Sequence, residues 1–149
     1  MSAATPGSLR SREKKFVLFP MGRKRFALPA EVVTELAQPD HLQTFPHTTA
    51  FLSGVLVRRG RVVPVFDMAQ ILVGANAPAR KFYLIVTLKF GEDSEWTAVP
   101  VTGECELTSR ELLPRAPRLP AYVTGLLDIG GEMVEVLDLK KLASAGLAA

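Results

Sequence analysis

The sequence predicts a mainly β protein with short helices, and three observations support that fold class. Short runs of β-branched and aromatic residues recur along the chain, as is typical of strands. Turns that contain Gly or Pro separate these runs. The hairpin pattern of residues 51–72 returns later in the chain, which indicates an internal duplication. At 149 residues, the chain fits one domain or two small intertwined ones.

The composition is that of a globular protein, with 48% hydrophobic and 22% charged residues. The longest uninterrupted apolar stretches have about five residues, whereas a membrane-spanning helix needs roughly 20. The apolar run Phe16–Phe19 ends at Pro20 and is too short for a signal peptide. Together with the single cysteine, Cys105, these features favour a cytoplasmic chain without membrane insertion.

Residues 1–15 are interpreted as a disordered basic tail, because they are rich in Ser, Ala and charge and have few large apolar side chains. Through residue 25 the chain has seven Lys and Arg residues against one acid. A nucleic-acid-binding module usually carries its basic residues on the folded body, whereas here the excess lies in the tail and the first turn. A nucleic-acid partner is therefore not expected.

The folded part begins with a predicted hairpin, in which the strands Phe16–Phe19 and Arg25–Leu28 flank the turn Met21–Lys24. The segment Pro29–Ala37 is either a short helix that Pro29 initiates or an irregular strand. A polar loop, 38–49, follows it.

Residues 51–67 form two β-branched runs around a basic turn closed by Gly60. A brief helix follows at 67–72, with Asp67 as its cap. The next predicted hairpin pairs the strands 80–90 and 96–101.

The Pro-rich segment Pro114–Pro120 is typical of a stiff linker, with a Pro-rich peptide ligand as the alternative. The hairpin Tyr122–Leu137 and the helix Asp138–Ala143 close the chain.

This last unit repeats the earlier hairpin and helix at a constant separation of 71 residues. The matched pairs are Gly54 and Gly125, Gly60 and Gly131, Val63 and Val134, Val65 and Val136, and Asp67 and Asp138. The four glycines are predicted to be structural turn residues and the two aspartates helix caps. Since each half has only about 65 residues, we expect the halves to share a core.

No residue pattern predicts catalysis, a metal site or a cofactor. The histidines His41 and His47 lie in one polar loop without the four converging ligands that structural zinc needs. Cys105 lies between two glutamates, which disfavour the reactive thiolate. The sequence also lacks a phosphate-binding loop and a nucleophile elbow. We therefore expect a protein that is not an enzyme.

The turn Arg58–Arg61 permits three interpretations: a solvated hairpin tip, a phosphate-binding turn or a protein-docking site. If the arginines bind a polyanion, the protein is a small β-barrel binding module for peptide or polyanion, unrelated to signalling.

The stretch 51–67 resembles the signature of CheW-like domains, the coupling proteins of chemotaxis. In that family a Gly-Val pair, an Asn-Leu-Arg-Gly turn and a Val-Pro-x-x-Asp strand occur in this order. The corresponding residues here are Gly54-Val55, Val57-Arg58-Arg59-Gly60 and Val63-Pro64-Val65-Phe66-Asp67. The resemblance extends from Phe16 to Leu142 and includes Val33-x-Glu35-Leu36 and Leu137-Asp138-Leu139.

The resemblance implies one domain over residues 16–149, made of two intertwined five-stranded SH3-like β-barrels that share a hydrophobic core. It also implies a non-catalytic adaptor that couples the cytoplasmic tips of chemoreceptors to a CheA-type histidine kinase. Such a protein would be cytoplasmic, associated with membrane-receptor arrays and free of cofactors.

The resemblance places the receptor-binding residues at Val33, Glu35, Val57, Arg58 and Arg59. Glu35 and Arg59 are expected to pair across a groove. Val33 is expected to share the strand face of Glu35 and to form part of an apolar floor.

Four residues depart from the family pattern. Val57-Arg58 stands where the family usually has Asn-Leu before the turn. Thr102 stands where an acidic residue is common, and Thr49 where a proline is common. These departures favour a divergent chemosensory pathway, such as one that controls pili or gliding.

Overall fold

The computed structural model describes residues 12–38, 43–44, 52–74, 79–90 and 92–148, and this part of the chain is built mainly of β-strands. The strands are β1 (Glu13–Met21), β2 (Lys24–Pro29), β3 (Val33–Ala37), β4 (Gln43–Thr44), β5 (Leu52–Arg58), β6 (Arg61–Phe66), β7 (Phe82–Phe90), β8 (Asp93–Val101), β9 (Glu106–Glu111), β10 (Val123–Ile129) and β11 (Glu132–Leu137). The helices are a 3₁₀ turn (Ala30–Val32), α1 (Ala69–Leu72) and α2 (Leu139–Ala148).

The strands form two sheets. Sheet 1 has the order β10-β11-β2-β1-β9, and sheet 2 has the order β3-β7-β8-β6-β5-β4, in which β4 is only a two-residue edge strand. Sheet 1 closes on itself where Leu113 and Leu126 exchange backbone hydrogen bonds of 2.8 and 2.9 Å. Sheet 2 curls until Glu35 of β3 reaches Arg58 of β5. The predicted pair of SH3-like barrels is confirmed, and we call them barrel 1 and barrel 2.

The two repeated hairpins have the same register. Gly54 lies opposite Val65 in β5–β6, and Gly125 lies opposite Val136 in β10–β11. Each hairpin has its irregularity just before that glycine. The predicted duplication is therefore visible in the backbone pairing as well as in the sequence.

Each repeat is divided between the two sheets: β1–β2 belong to sheet 1 and β3 to β6 to sheet 2, whereas β7–β8 belong to sheet 2 and β9 to β11 to sheet 1. In the first repeat, β3 leaves its own hairpin β1–β2 and pairs with β7 of sheet 2. In the second repeat, β9 leaves β7–β8 and pairs with β1 of sheet 1. Each barrel thus contains strands from both halves of the chain, so neither barrel can form from one half alone.

Three clusters of buried side chains form the core. The largest contains residues of both sheets and of the helices, including Phe19, Phe26, Val86 and Leu142, so the expected shared core is confirmed. A second cluster around Val63 and Ile85 fills barrel 2. The third fills barrel 1 with Phe16, Leu18, Ala27, Leu127, Val134 and Val136.

Two of the four glycines that were predicted to be turn residues lie in turns. Gly60 and Gly131 have positive φ angles of 75° and 92° in two-residue hairpin turns. Gly54 and Gly125 instead lie inside β5 and β10. A Cβ atom on Gly125 would lie 2.5 Å from Leu112 Cδ1 and 2.6 Å from the Leu113 carbonyl oxygen, so this position requires glycine because another strand segment passes close by.

Several observed elements differ from the predicted ones: β7 begins at Phe82 and not at 80, and α2 extends to Ala148 and not only to Ala143. Strand β1 begins at Glu13, so 13–15 belong to the sheet and not to the tail predicted for residues 1–15, whose residues 1–11 lie outside the described part. Strand β8 begins at Asp93 instead of Trp96. Strand β9 was not predicted, since five of its six residues are exposed and it lacks the apolar alternation of a half-buried strand.

The aspartate caps are largely confirmed. Asp138 Oδ1 accepts a hydrogen bond of 3.1 Å from the Lys141 amide in the first turn of α2. Asp67 Oδ1 accepts one of 3.1 Å from the Ala69 amide, but Met68 holds the N-cap position of α1.

Candidate functional site

The candidate site lies at the tip of the β5–β6 hairpin, at one end of barrel 2. Arg58 and Arg61 lie opposite each other across the two-residue turn formed by Arg59 and Gly60. Both turn residues have positive φ, 52° and 75°, as a type I′ turn requires. For a non-glycine residue such as Arg59, the left-handed conformation costs roughly 1–2 kcal/mol. The turn thus holds a large cation in an unfavourable backbone conformation.

Glu35 is bound by two arginines of this turn. Arg58 donates two hydrogen bonds to its carboxylate, Nε to Oε1 at 2.9 Å and Nη2 to Oε2 at 2.8 Å. Arg59 Nη2 lies 3.6 Å from the same Oε2. The expected pair of Glu35 and Arg59 is therefore present, but Arg58 makes the shorter, bidentate contact. Sequence reasoning could not choose between neighbouring arginines, because the choice depends on where the curled sheet places β3.

The electrostatics of the site follow from this contact. The side chain of Glu35 is 18% exposed, so its charge is only partly hydrated. The hydrogen bonds from Arg58 lower the pKa of Glu35 despite the opposing effect of burial, and Arg59 adds a smaller contribution in the same direction. Glu35 is therefore ionised at neutral pH and fixes the orientation of both guanidinium groups.

Val33 does not share the face of Glu35, which corrects the expectation. Val33 lies opposite Val86, whereas Glu35 lies opposite Ile85, because β3 has an irregular residue between them. Residues opposite each other in an antiparallel pair point to the same face, and consecutive residues of β7 point to opposite faces. Val33 accordingly packs against the large core cluster that contains Val86.

Val57 lies on the outer face of the hairpin. Its side chain is 55% exposed, and Val62, directly opposite in β6, is 69% exposed. The flanking pair Leu56 and Val63 is buried inside barrel 2. The structure therefore brings together Glu35, Arg58 and Arg59, and it places Val57 next to them on the other side of the strand.

Sequence reasoning missed the role of Trp96. The guanidinium carbon of Arg61 lies 4.1 Å from the centroid of the Trp96 ring, which is a cation–π contact. Trp96 itself packs against the core of barrel 2. Because Arg61 lies opposite Arg58, the hairpin predicts that these two arginines share a face, but no local signal identifies an aromatic partner more than thirty positions away.

Cys105, His41 and His47 are the other candidate reactive or metal-ligating side chains. Burial raises the pKa of the Cys105 thiol to about 11, which leaves it protonated and unreactive at neutral pH. Within the described ranges no three His, Cys, Asp or Glu side chains are grouped as a metal site would need. His41 and His47 lie outside those ranges. No helix in the described part of the chain is long and apolar enough to cross a membrane.

Comparison with known proteins gives a consistent result. A family model described as a CheW-like domain matches residues 15–146. The chain is 33% identical over 138 residues to Protein FrzA of Myxococcus xanthus, covering 87% of this chain and 85% of that protein. It is 25% identical over 138 residues to the Chemotaxis protein CheW of Klebsiella aerogenes, covering 89% and 82%.

A solved structure supports the fold. The scaffolding protein TtCheW from Thermoanaerobacter tengcongensis superimposes with a TM-score of 0.72 at 20% identity, and the match covers 87% of this chain and 86% of that one.

Proposed function

The chain belongs to the CheW-like domain family and is a scaffold or coupling protein of chemotaxis-type signalling, and on that premise we propose that it joins chemoreceptors to a CheA-type histidine kinase. It does so without catalytic turnover, at the cytoplasmic face of a receptor array. Family membership over nearly the whole chain is the observation that carries this proposal.

We propose further that the β5–β6 tip contacts the receptor through Arg59. The Arg59 side chain is 71% exposed, whereas Arg58 is held by its bidentate contact with Glu35. Arg58 and Glu35 then act as positioning residues, which keep the Arg59 guanidinium near one orientation before the partner arrives. A preorganised charge loses less side-chain entropy on binding.

The exposed valines supply the apolar part of this surface. Val57 and Val62 lie on the outer face of the same hairpin, and Arg59 lies in the turn that joins their strands. A receptor helix that carries an acidic group beside an apolar face fits this combination, because apolar contact contributes affinity while the charge fixes orientation.

The departures from the family pattern favour a divergent pathway. Arg58 stands where the family usually has leucine, and its charge is paired with Glu35 of the same chain. The polyanion-binding alternative loses support for the same reason. Arg58 is bound to Glu35 and Arg61 lies on Trp96, so two of the three arginines of the turn are already engaged.

The test is binding of purified receptor cytoplasmic fragments, encoded in the same genome, to the wild-type chain and to three variants. Arg59→Glu and Glu35→Arg should each weaken binding by about 2 kcal/mol, roughly 30-fold, since truncating or reversing an orienting charge costs that much when it becomes buried. Arg23→Glu, an equal charge change in the exposed β1–β2 turn, is the matched control and should bind like wild type.

The melting temperature of Arg59→Glu and Arg23→Glu should stay within a degree or two, because exposed ion pairs contribute only about 0 to 1 kcal/mol to folding. Glu35→Arg should melt lower, because it removes the bidentate contact of a mostly buried carboxylate and places a third cation beside Arg58 and Arg59. Undiminished receptor binding by Arg59→Glu would overturn the site. Absence of binding of the wild-type chain to every receptor and kinase of its genome would overturn the adaptor function itself. If the chain binds nucleic acid, and if its binding weakens steeply as the salt concentration rises, the polyanion-binding module is favoured instead.

A further inference from the structure

Barrel 1 has an open mouth at the end of its interior away from its hairpin tip. The cavity there has a volume of about 640 Å³. The residues that line it include Lys14, Lys15, Phe16, Glu31, Leu112 and Thr124. None of these residues belongs to the β5–β6 tip of barrel 2.

The floor of this mouth is apolar. Phe16 and Val136 are buried members of the barrel 1 core, and Leu112 packs against the same cluster. Phe16 and Val136 are 2% and 1% exposed, so the apolar surface that an entering side chain can contact is that of the half-buried Pro29, Ala30 and Leu112.

The rim carries two cations on its inner face, Lys14 and Arg110, while the acids Glu13 and Glu111 lie opposite each other on the outer face of the same strands. Lys14 of β1 lies directly opposite Arg110 of β9, on the strand face that two residues later buries Phe16. Like charges opposite each other destabilise a sheet. In the part of the chain that the structure describes, neither side chain forms an ion pair, and Arg110 donates only to the neighbouring Ser109 carbonyl at 2.8 Å. Glu31 is an acidic residue among those that line the cavity, and it forms no ion pair with another residue that the structure describes.

The corresponding end of barrel 2 is different. Phe16 faces Pro29 across its hairpin just as Tyr83 faces Pro100, so the two positions are equivalent. Near Tyr83, Arg80 and Asp67 neutralise each other at 2.8 Å. The duplicated architecture can thus neutralise a cation at this end, and barrel 1 leaves two cations opposed and accessible.

We propose that the mouth of barrel 1 is a docking site for an acidic segment of a partner protein that carries one aliphatic or aromatic side chain. The apolar side chain enters the cavity beside Leu112, and the flanking carboxylates bind Lys14, Lys15 and Arg110. Charge complementarity selects this partner, since carboxylates would relieve the opposition of Lys14 and Arg110. The recessed floor favours a protruding side chain over a flat lipid surface.

The test uses a phage-displayed library of random dodecapeptides selected on the purified full chain. Enriched peptides should combine Asp or Glu with one large apolar residue. A selected peptide, labelled with a fluorophore, should bind Lys14→Glu about tenfold more weakly or worse, while Arg23→Glu in the β1–β2 turn of the same barrel binds like wild type. The amide signals of Lys14, Leu112 and Thr124 should shift in NMR spectra when the peptide is added.

Lys14→Glu has a second signature, because it places a carboxylate opposite Arg110. Its melting temperature should equal or exceed that of the wild type while peptide affinity is lost. The proposal fails if no acidic-apolar peptide is enriched, or if the selected peptides bind Lys14→Glu as well as the wild type. It also fails if only vesicles of phosphatidylcholine and phosphatidylglycerol bind, with dependence on Lys14.

Discussion

The two duplicated hairpins have the same backbone and different tips. Both pair in one register, and both turn through two residues with positive φ: 52° and 75° at Arg59 and Gly60, and 60° and 92° at Gly130 and Gly131. The difference is in the side chains. Where the second hairpin has Gly130, the first has arginine in a conformation that glycine adopts without cost.

The residues two positions before these turns also differ, and again the second hairpin has the more stable arrangement. In the second hairpin Asp128 Oδ1 accepts a hydrogen bond of 2.8 Å from the Gly131 amide and so braces the turn. The equivalent residue of the first hairpin is Val57, which has no acceptor and is exposed. The second tip has the features of a stable turn, and the first gives up that stability for an exposed cation and apolar surface. Local strain and exposed apolar residues of this kind are typical of binding sites.

The ion pairs at the two tips differ as well. Glu132 binds Arg25 at 2.7 Å at the tip of barrel 1. The equivalent positions in barrel 2 are Arg61 and Trp96, which form the cation–π contact. One pseudo-symmetric position thus accommodates an ion pair in one barrel and an aromatic contact in the other, because the fold requires only that the two side chains meet.

The largest loss of stability is expected from a substitution at Gly125, next to the irregularity in the second hairpin. Gly125→Ala should destabilise the protein by about 3 kcal/mol, since the new Cβ would overlap Leu112 and the Leu113 carbonyl. Gly130→Ala is the matched control in open space; it should cost about 1 kcal/mol, through backbone strain alone. Urea denaturation measures both, and equal losses would show that the close approach is unimportant.

An intermediate effect is expected from exchanging Asp128, whose carboxylate accepts the hydrogen bond in its turn, with the equivalent Val57. Val57→Asp should stabilise the protein by about 1 kcal/mol, because the new carboxylate can accept a hydrogen bond from the Gly60 amide. Asp128→Val should lose about the same amount. Thermal unfolding of the two variants tests the equivalence. Loss of stability in Val57→Asp would mean that the first turn cannot adopt the braced geometry. Receptor affinity of this variant should fall as the apolar surface is interrupted.

The smallest effect concerns the pH dependence of the first tip. The pKa of Glu35 is lowered in the folded protein, so its ionised form stabilises the fold above the ordinary glutamate pKa, and this stabilisation is lost as the pH falls through the lowered value. Glu35→Gln should therefore be less stable than wild type by less than about 1 kcal/mol at neutral pH. The difference should vanish in acid. Denaturation at several pH values checks this, and a difference that grows in acid would contradict the assigned sign.

The sequence by itself determined the elements that depend on neighbouring residues. The hairpins around Gly60 and Gly131, the duplication and the aspartates before α1 and α2 were all predictable, because turn conformation, strand alternation and helix capping act over a few residues. The shared core followed from the small size of each half. The resemblance to CheW-like domains supplied the two barrels and the residues of the candidate site.

Only the tertiary structure decided which strands belong to each barrel and which arginine holds Glu35. Strand β9 has an exposed, charged sequence and is held by its pairing with β1, so its sequence carries no strand signal of its own. The irregular residue in β3 places Val33 and Glu35 on opposite faces of the strand, and its position is set by the pairing with β7. These features depend on contacts between distant segments, whose energies are settled only when both barrels close around the common core.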